Sequence, residues 1–586
     1  MTTRDTMYTE DIANAGNLKE YCSPLDETVS QLPPEMDRSG NVEYKTKLEA
    51  VTDSRTTHLA TQLQWRLAEG NGHAVYMVGV RDDGFLVGIT EPELEATISA
   101  IQNMALQLAN VAIVSISKRV LAHRGGRVVA EVHIDQHSNT PRTEVRIAVL
   151  GELGVGKSTV LGCLTYGEAD DGHGKARLNL LRHRHEVESG RTSSIALGVI
   201  GFNTDGHVLN YANNRSAEQI YQRSHHIVTL IDTCGYARHL KTTARAIAGH
   251  SPHAFCVTIA ADRGLVTPTT REYMRIAAVL RKPLMIVLTK MDIAAKTTFA
   301  ALMHDILATL DVTVPGRGRC IVTDTTESKQ LAEDMMRLVV VPIFTTSAVR
   351  TLGFRELTSV MSKTLQTPSC AKPDAASSPL FEFHVEHTYS IDDVGTVVTG
   401  WVNQGSVNIS AASVDKRKLC IGPDSTGGFV DIEVNSIHTL RIPTELAETG
   451  TSAALAIKTH RPVSIEKGMV ILDTEYLNKH GRKHVSGEFT ARIAILSQEF
   501  RGMQSVIVHI RSAYRLAHVL EIVDVVGTFG HSQQKSGLER DFAVVRLRFD
   551  DNVCDYLSSG LAIVARDGQN LVFAGHVADV SQWYSD

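Results

Sequence analysis

Within eight positions, Gly151-Glu152-Leu153-Gly154-Val155-Gly156-Lys157-Ser158 sets three glycines, an amine and a hydroxyl, with Thr159 directly after. Glycines let backbone N–H groups turn inward around an anion. A lysine so placed reaches the β- and γ-phosphates of a nucleoside triphosphate, and a serine hydroxyl coordinates a divalent cation. The preceding run Glu144–Leu150 reads as a strand and Thr159–Thr165 as a helix, whose N-terminus adds positive potential at the same spot. By average residue frequencies such a string arises by chance in about 2% of chains of this length. Its strand-before, helix-after setting makes accident a poor explanation.

Two more strand-like runs end in residues with chemistry. Ile227–Ile231, broken only by Thr229, runs into Asp232-Thr-Cys-Gly235. A carboxylate at such a strand end holds Mg2+ through a water, and the glycine N–H meets the γ-phosphate. Leu284–Leu288 runs into Thr289-Lys290-Met291-Asp292. A carboxylate here accepts both the N1–H and the 2-amino hydrogens of guanine, a donor pair that adenine lacks. Sites built on such hydrogen bonds reject the wrong analogue by about 10⁴–10⁵. The Lys290 stem covers one face of the base. Phe344-Thr-Thr-Ser347-Ala348 offers a second loop whose backbone faces the guanine carbonyl. Together these predict a site for GTP or GDP with Mg2+, the nucleotide lying on Gly151–Thr159, Asp232, Gly235, Thr289, Lys290, Asp292, Ser347 and Ala348. His183 with His185, or His225 with His226, lacks a partner set at zinc-ligand spacing.

These strings need a scaffold. At 586 residues the chain exceeds one hydrophobic core, and 43% hydrophobic with 21% charged residues is ordinary for a globular protein. Residues 1–42 read as a disordered extension. Residues 43–136 read as a small α/β domain: Leu59, Leu63 and Leu67 recur at helical spacing, and Ala74–Val80 with Phe85–Ile89 flank an Arg-Asp-Asp-Gly hairpin signal. Thr90 with Glu93 opens a second helix as a capping box. After the polar linker Asp135–Arg142, residues 143–366 alternate apolar runs and helical patterns, which predicts a P-loop α/β domain, a mostly parallel sheet with helices on both faces. Beyond the linker Gln366–Ser378, short strands and turns predict two β-barrels over 379–482 and 486–582.

The remaining composition bounds partners and compartment. Eight scattered cysteines without a Cys-x-x-Cys pair suit free thiols in a reducing compartment, so the cytoplasm is expected. No apolar run approaches the roughly 20 residues that cross a bilayer, and Met1–Glu10 lacks a signal-peptide pattern; no membrane role is expected. A net charge of −6 argues against holding nucleic acid by charge alone: no DNA is expected, and RNA requires a local basic patch or a larger assembly. Arg182, Arg184, Arg191, Arg238, Lys241 and Arg245 form either such a patch or a solvated face. Oligomeric state is not legible.

The segment Arg182-His-Arg-His-Glu186-Val-Glu188-Ser-Gly190-Arg191-Thr192-Ser-Ser194 closely resembles that of the GTP-binding protein 1/2 branch of elongation-factor-type translational GTPases. The resemblance extends to Leu240-Lys-Thr-Thr243, Val394-Gly-Thr-Val-Val-Thr-Gly400 and Ile465-Glu-Lys-Gly-Met469. It implies that Thr192 caps Mg2+ and closes over the γ-phosphate. It further implies that Lys157, Thr192 and Gly235 serve catalysis, and that hydrolysis is coupled to tRNA or ribosome-associated RNA, with RNA-decay or translation factors as further partners. Three positions depart from the pattern. Tyr236 replaces the family's water-orienting histidine; a phenol hydrogen-bonds water but is not cationic at neutral pH, which predicts slow hydrolysis. Gly154 replaces an aspartate often linked to a monovalent cation. Cys234 lies beside the γ-phosphate position, as a redox handle or as a small residue filling a tight turn. Three readings follow: an RNA-coupled GTPase, a slow or inactive GTP-dependent scaffold, and a regulatory GTPase serving a metabolic enzyme.

Overall fold

The computed structural model describes residues 32, 40–48, 53–70, 72–108, 111–121, 126–136, 143–181, 183–214, 216–236, 239–364, 380–392, 394–409, 417–524, 542–550, 553–567 and 570–578. Most of the 1–42 extension, residues 137–142 and all of 366–378 lie outside them. The chain divides into two units: Met1–Arg142 with Tyr221–His225, and Thr143–Ile220 with His226–Asp586.

In the first unit, β1 (Val42–Lys45), β2 (His73–Val78), β3 (Val111–Leu121) and β4 (Arg127–Gln136) form one sheet in the order β1-β2-β4-β3. Leu59, Leu63 and Leu67 of α1 (Asp53–Glu69) pack with Ala74, Tyr76 and Val132, as do Leu94, Ile101 and Met104 of α2 (Glu91–Leu106). The Glu93 carboxylate accepts from the Thr90 N–H at 2.9 Å and from the Thr90 hydroxyl at 3.0 Å, so the expected helix start forms. The expected strand over Phe85–Ile89 does not. Among the described residues, single bridges join Val80 to Leu86 and Ile89 to Val128. Gly79 and Gly88 sit in the left-handed region at φ 83° and 70°, which interrupts the extended backbone a ladder needs.

The second unit opens with an eight-stranded sheet. Its strands are β5 (Thr143–Leu150), β6 (Ala196–Phe202), β7 (Val208–Leu209), β8 (His226–Asp232), β9 (Ala254–Ala260), β10 (Leu284–Thr289), β11 (Gly318–Val322) and β12 (Val340–Thr345), in the order β11-β12-β10-β9-β5-β8-β6-β7. β11 through β8 are parallel, and β6 and β7 add antiparallel. Alternate residues of one strand face different helix layers. Val145, Ile147 and Val149 pack with α3 (Lys157–Tyr166), α8 (Ser328–Met336) and α9 (Phe354–Thr364). Ala148 and Leu150 pack with α5 (Leu240–Gly249), α6 (Pro268–Val279) and α7 (Lys296–Thr313). Both faces being covered, the strands read as unbroken apolar runs. The short α4 (Arg184–Ser189) lies between α3 and β6 in sequence.

Two barrels follow in the same unit. Glu382–Ile391, Gly395–Gln404, Ser452–Thr459, Val430–Thr439, Leu419–Gly422 and Val470–Asp473 pair in a ring. Strands between Glu488 and Val577 close a second barrel. Buried polar contacts bind the first barrel to β5. Arg146 pairs with Glu386, donates to His250 O and Ser452 Oγ at 2.9 Å each, and lies over the Trp401 ring at 4.3 Å. The second barrel meets α5, where Lys241 Nζ lies 3.8 Å from the Tyr514 ring centroid. Tyr556 is core, whereas Tyr514 is half exposed. Among the described residues, no helix is long and apolar enough to cross a membrane.

Candidate functional site

A parallel sheet collects the C-terminal ends of its strands along one edge, and the turns leaving β5, β8, β9, β10 and β12 all lie there. The β5–α3 turn carries Gly151 to Gly156, with Lys157, Ser158 and Thr159 opening α3. Thr289, at the end of β10, fixes this turn from the side: its hydroxyl donates to Val155 O at 2.6 Å.

Three segments meet at Lys157 and Ser158. Ser158 Oγ lies 2.6 Å from Asp232 Oδ2 and 2.9 Å from Thr192 Oγ1. Lys157 Nζ donates to Glu152 O at 2.9 Å. Gly235 is packed so closely that a Cβ there would lie 2.6 Å from Glu152 O, which excludes any side chain. Burial raises the Asp232 carboxyl to about 6, against the Lys157 ammonium and the Ser158 hydroxyl, which lower it. Burial also pulls Lys157 below the ordinary amine range, opposed chiefly by the Asp232 charge. Asp232 Oδ1 is buried with no hydrogen-bond partner among the described residues. Two hydroxyls and a carboxylate with a spare oxygen are a hard-oxygen donor set, and they fit a small divalent cation.

The segment before Thr192 is anchored by Glu186, which is fully buried on α4. Its Oε1 accepts from Ser193 N at 2.6 Å, Ser193 Oγ at 2.7 Å, Ser194 N at 2.9 Å and Ser194 Oγ at 3.0 Å; its Oε2 accepts from His183 N at 3.1 Å. The Cys234 thiol is turned onto the Thr192 carbonyl, and Thr243 Oγ1 of α5 donates to Cys234 O at 2.7 Å. Burial pushes that thiol up from the ordinary range, so it is not an activated thiolate. The Tyr236 ring lies 5.6 Å from the Arg191 guanidinium and 5.9 Å from the His239 ring.

Further along the edge, Ser347 Oγ donates to Asp292 Oδ1 at 2.6 Å, which orients that carboxylate. Lys290 takes a left-handed φ of 59°, and its ammonium meets Asp262 at 3.3 Å. Ala348 follows Ser347 in the loop and accepts from Asp170 N at 3.0 Å. The predicted residues therefore fall into two groups on one sheet edge, one around Ser158 and one around Asp292.

Of the six basic residues, several have partners in the structure. Arg184 pairs with Glu188, Lys241 lies on Tyr514, and Arg245 donates to Glu386 O at 3.3 Å. Arg182 and Arg238 lie outside the described residues. Two residues of the site were missed in the sequence. Glu186 stood inside the Arg182–Ser194 string, where a carboxylate between two histidine-flanked arginines and a Ser-Ser pair was the available signal. Arg263 follows β9 in Ala-Ala-Asp-Arg-Gly, and nothing in that string points to the β5–α3 turn.

The Elongation factor Tu GTP binding domain family matches residues 142–367. GTP-binding protein 2 of Homo sapiens is 34% identical over 555 residues, covering 94% of this chain and 88% of that protein. GTP-binding protein 1 of Xenopus laevis is 31% identical over 525 residues, covering 87% and 74%. Among solved structures, the GTP-bound S. cerevisiae Ski7 GTPase-like domain is similar in fold, with a TM-score of 0.53 at 13% identity, covering 74% of this chain and 97% of that one.

Proposed function

This chain belongs to the GTP-binding protein 1/2 family of elongation-factor-Tu-type GTPases, and on that premise we propose that it couples GTP hydrolysis to holding tRNA or ribosome-associated RNA. It binds guanine nucleotide and hydrolyses GTP, as its family does. The observation that carries the coupling is mechanical continuity. The Asp232–Gly235 turn is bonded to α5 through Thr243, and α5 in turn touches both barrels.

The β5–α3 turn and Lys157 hold the β- and γ-phosphates, and the Asp292 carboxylate selects guanine. Mg2+ would be held by the Ser158 and Thr192 hydroxyls and by Asp232 through a water; bound there, it neutralises phosphate charge. Seating of Thr192 and Gly235 on the γ-phosphate holds the loop and the start of α5 in one position. Loss of that phosphate releases them, and α5 carries the change to the barrels. Tyr236 orients the attacking water with its hydroxyl, and the absence of a cationic imidazole keeps intrinsic turnover low. The cytoplasm is the setting of this work.

Filter binding of aminoacylated and deacylated tRNA tests the coupling, with the protein loaded with GTP or GDP. We expect retention at least about tenfold stronger in GTP, in line with the usual size of coupling between sites. Equal retention in both states, or none at all, refutes the coupling.

A further inference from the structure

In the family that the chain resembles, the aspartate at the Gly154 position is often linked to a monovalent cation, and the residues present here do not fit one. Gly154 offers no carboxylate to hold it. A guanidinium stands there instead: a Cβ built on Gly154 would meet only Arg263 Nη2, at 3.6 Å. Arg263 closes a one-turn helix, Ala261–Arg263, directly after β9, the strand paired with β5. It donates from Nη2 to Leu153 O at 2.8 Å and from Nη1 to Glu152 Oε2 at 2.9 Å. Its charge is felt at Lys157, whose pKa it helps to lower. An arginine carries five N–H donors in a fixed fork. Two are committed to the turn that wraps the phosphates, and the side chain is still 37% exposed. A positive charge is thus anchored on the turn to which the site's geometry assigns the phosphates.

We propose that Arg263 is a built-in catalytic arginine, which stabilises the β–γ bridging oxygen in place of a monovalent cation. The inference rests on the GTPase reading above. In the reaction, the water oxygen forms a bond to the γ-phosphorus while the bond from that phosphorus to the bridging oxygen breaks. The bridging oxygen keeps the electron pair as part of GDP, and both protons of the water end on oxygens of the released phosphate. The Arg263 guanidinium faces that oxygen and loses no proton. Arginines supplied to phosphoryl transfer accelerate it by about 10³–10⁵. Two of the five Arg263 donors are already bonded to the turn, so a smaller effect is expected.

The test uses the full-length protein, with GTP turnover measured in sodium, potassium and choline chloride and GTP affinity measured separately. Wild type is expected to turn over within about twofold in all three salts, and Arg263→Ala about 10- to 100-fold more slowly with GTP affinity changed less than about threefold. Arg263→Lys restores part of the rate. Arg263→Ala also fails to trap aluminium fluoride with GDP, a transition-state mimic that a merely structural strut would not affect. In the double variant Arg263→Ala, Gly154→Asp, the guanidinium no longer occupies the space, aspartate is among the residues that best tolerate the φ of 77° there, and turnover becomes potassium-dependent. Potassium-stimulated wild type, or an alanine variant as fast as wild type, overturns the proposal. So does an alanine variant that loses GTP binding altogether, since the arginine is then structural. Wild type that binds GTP but never hydrolyses it overturns the GTPase reading and the proposal together, an outcome distinct from loss of the arginine effect alone.

Discussion

Replacing Glu186 by alanine separates recognition of GTP from recognition of GDP. Four donors from Ser193 and Ser194 converge on one carboxylate oxygen, and a fifth from His183 meets the other. Hydrogen bonds to a charged group contribute about 1.5–3 kcal/mol each. Bonds that share one oxygen are not additive. Counting two at the low end gives about 3 kcal/mol holding the loop in place, or roughly 150-fold in its equilibrium. Thr192, which this loop carries to within 2.9 Å of Ser158 Oγ, matters only when a γ-phosphate is present. Nucleotide affinity is reduced by the fraction of molecules with the loop seated. Glu186→Ala should therefore weaken a non-hydrolysable GTP analogue by about 10- to 150-fold and GDP by less than about threefold. Fluorescent analogues of both, titrated in the same buffer, measure the ratio. Glu186→Gln keeps an accepting oxygen for the serines and should fall between. Equal weakening of both nucleotides, or no change, refutes the argument that this carboxylate holds the loop for the triphosphate.

Tyr236→His supplies a group that titrates near neutrality, and single-turnover hydrolysis should rise by about 10- to 100-fold; no increase means the pocket works through the phenol. Asp292→Asn removes the charge from two base contacts and should weaken GTP by about 100-fold or more, and calorimetry showing a loss under about threefold would count against base selection by this residue. His509 is 1% exposed and accepts from Arg566 Nε at 3.1 Å, so its ring is neutral. Burial first, then neighbouring cations, lower its pKa from 6.5 to about 3. The unfolded chain binds the extra proton below pH 6.5, so this stability is present above 6.5 and is lost as pH falls toward 3. The loss should be about 2 kcal/mol between pH 7 and 5, read as a urea-midpoint difference that shrinks by that amount in His509→Gln; an unshrunk difference assigns the acid sensitivity elsewhere.

Much of the site was legible because its chemistry is local. Gly151–Ser158, Asp232–Gly235 and Thr289–Asp292 are each a strand end with the turn that follows, and an apolar run of four to eight residues bounded by turn signals marks such a strand. The same locality misled at Phe85–Ile89, where apolar residues suggested a strand and two left-handed glycines prevented one.

The amino-acid order alone therefore determined which residues sit at the ends of buried strands, and so where the candidate site lies. It could not decide what lies beside them. Arg263 reaches Glu152 from 111 residues away because the crossovers place β9 next to β5, and Arg146 meets Glu386 across 240 residues because a barrel docks on that strand. Lys241 and Arg245 read as part of a basic patch or a solvated face, and the same docking placed them against Tyr514 and Glu386. Local propensity carries no information about strand order or domain docking, since both are settled by burying apolar faces against partners remote in sequence.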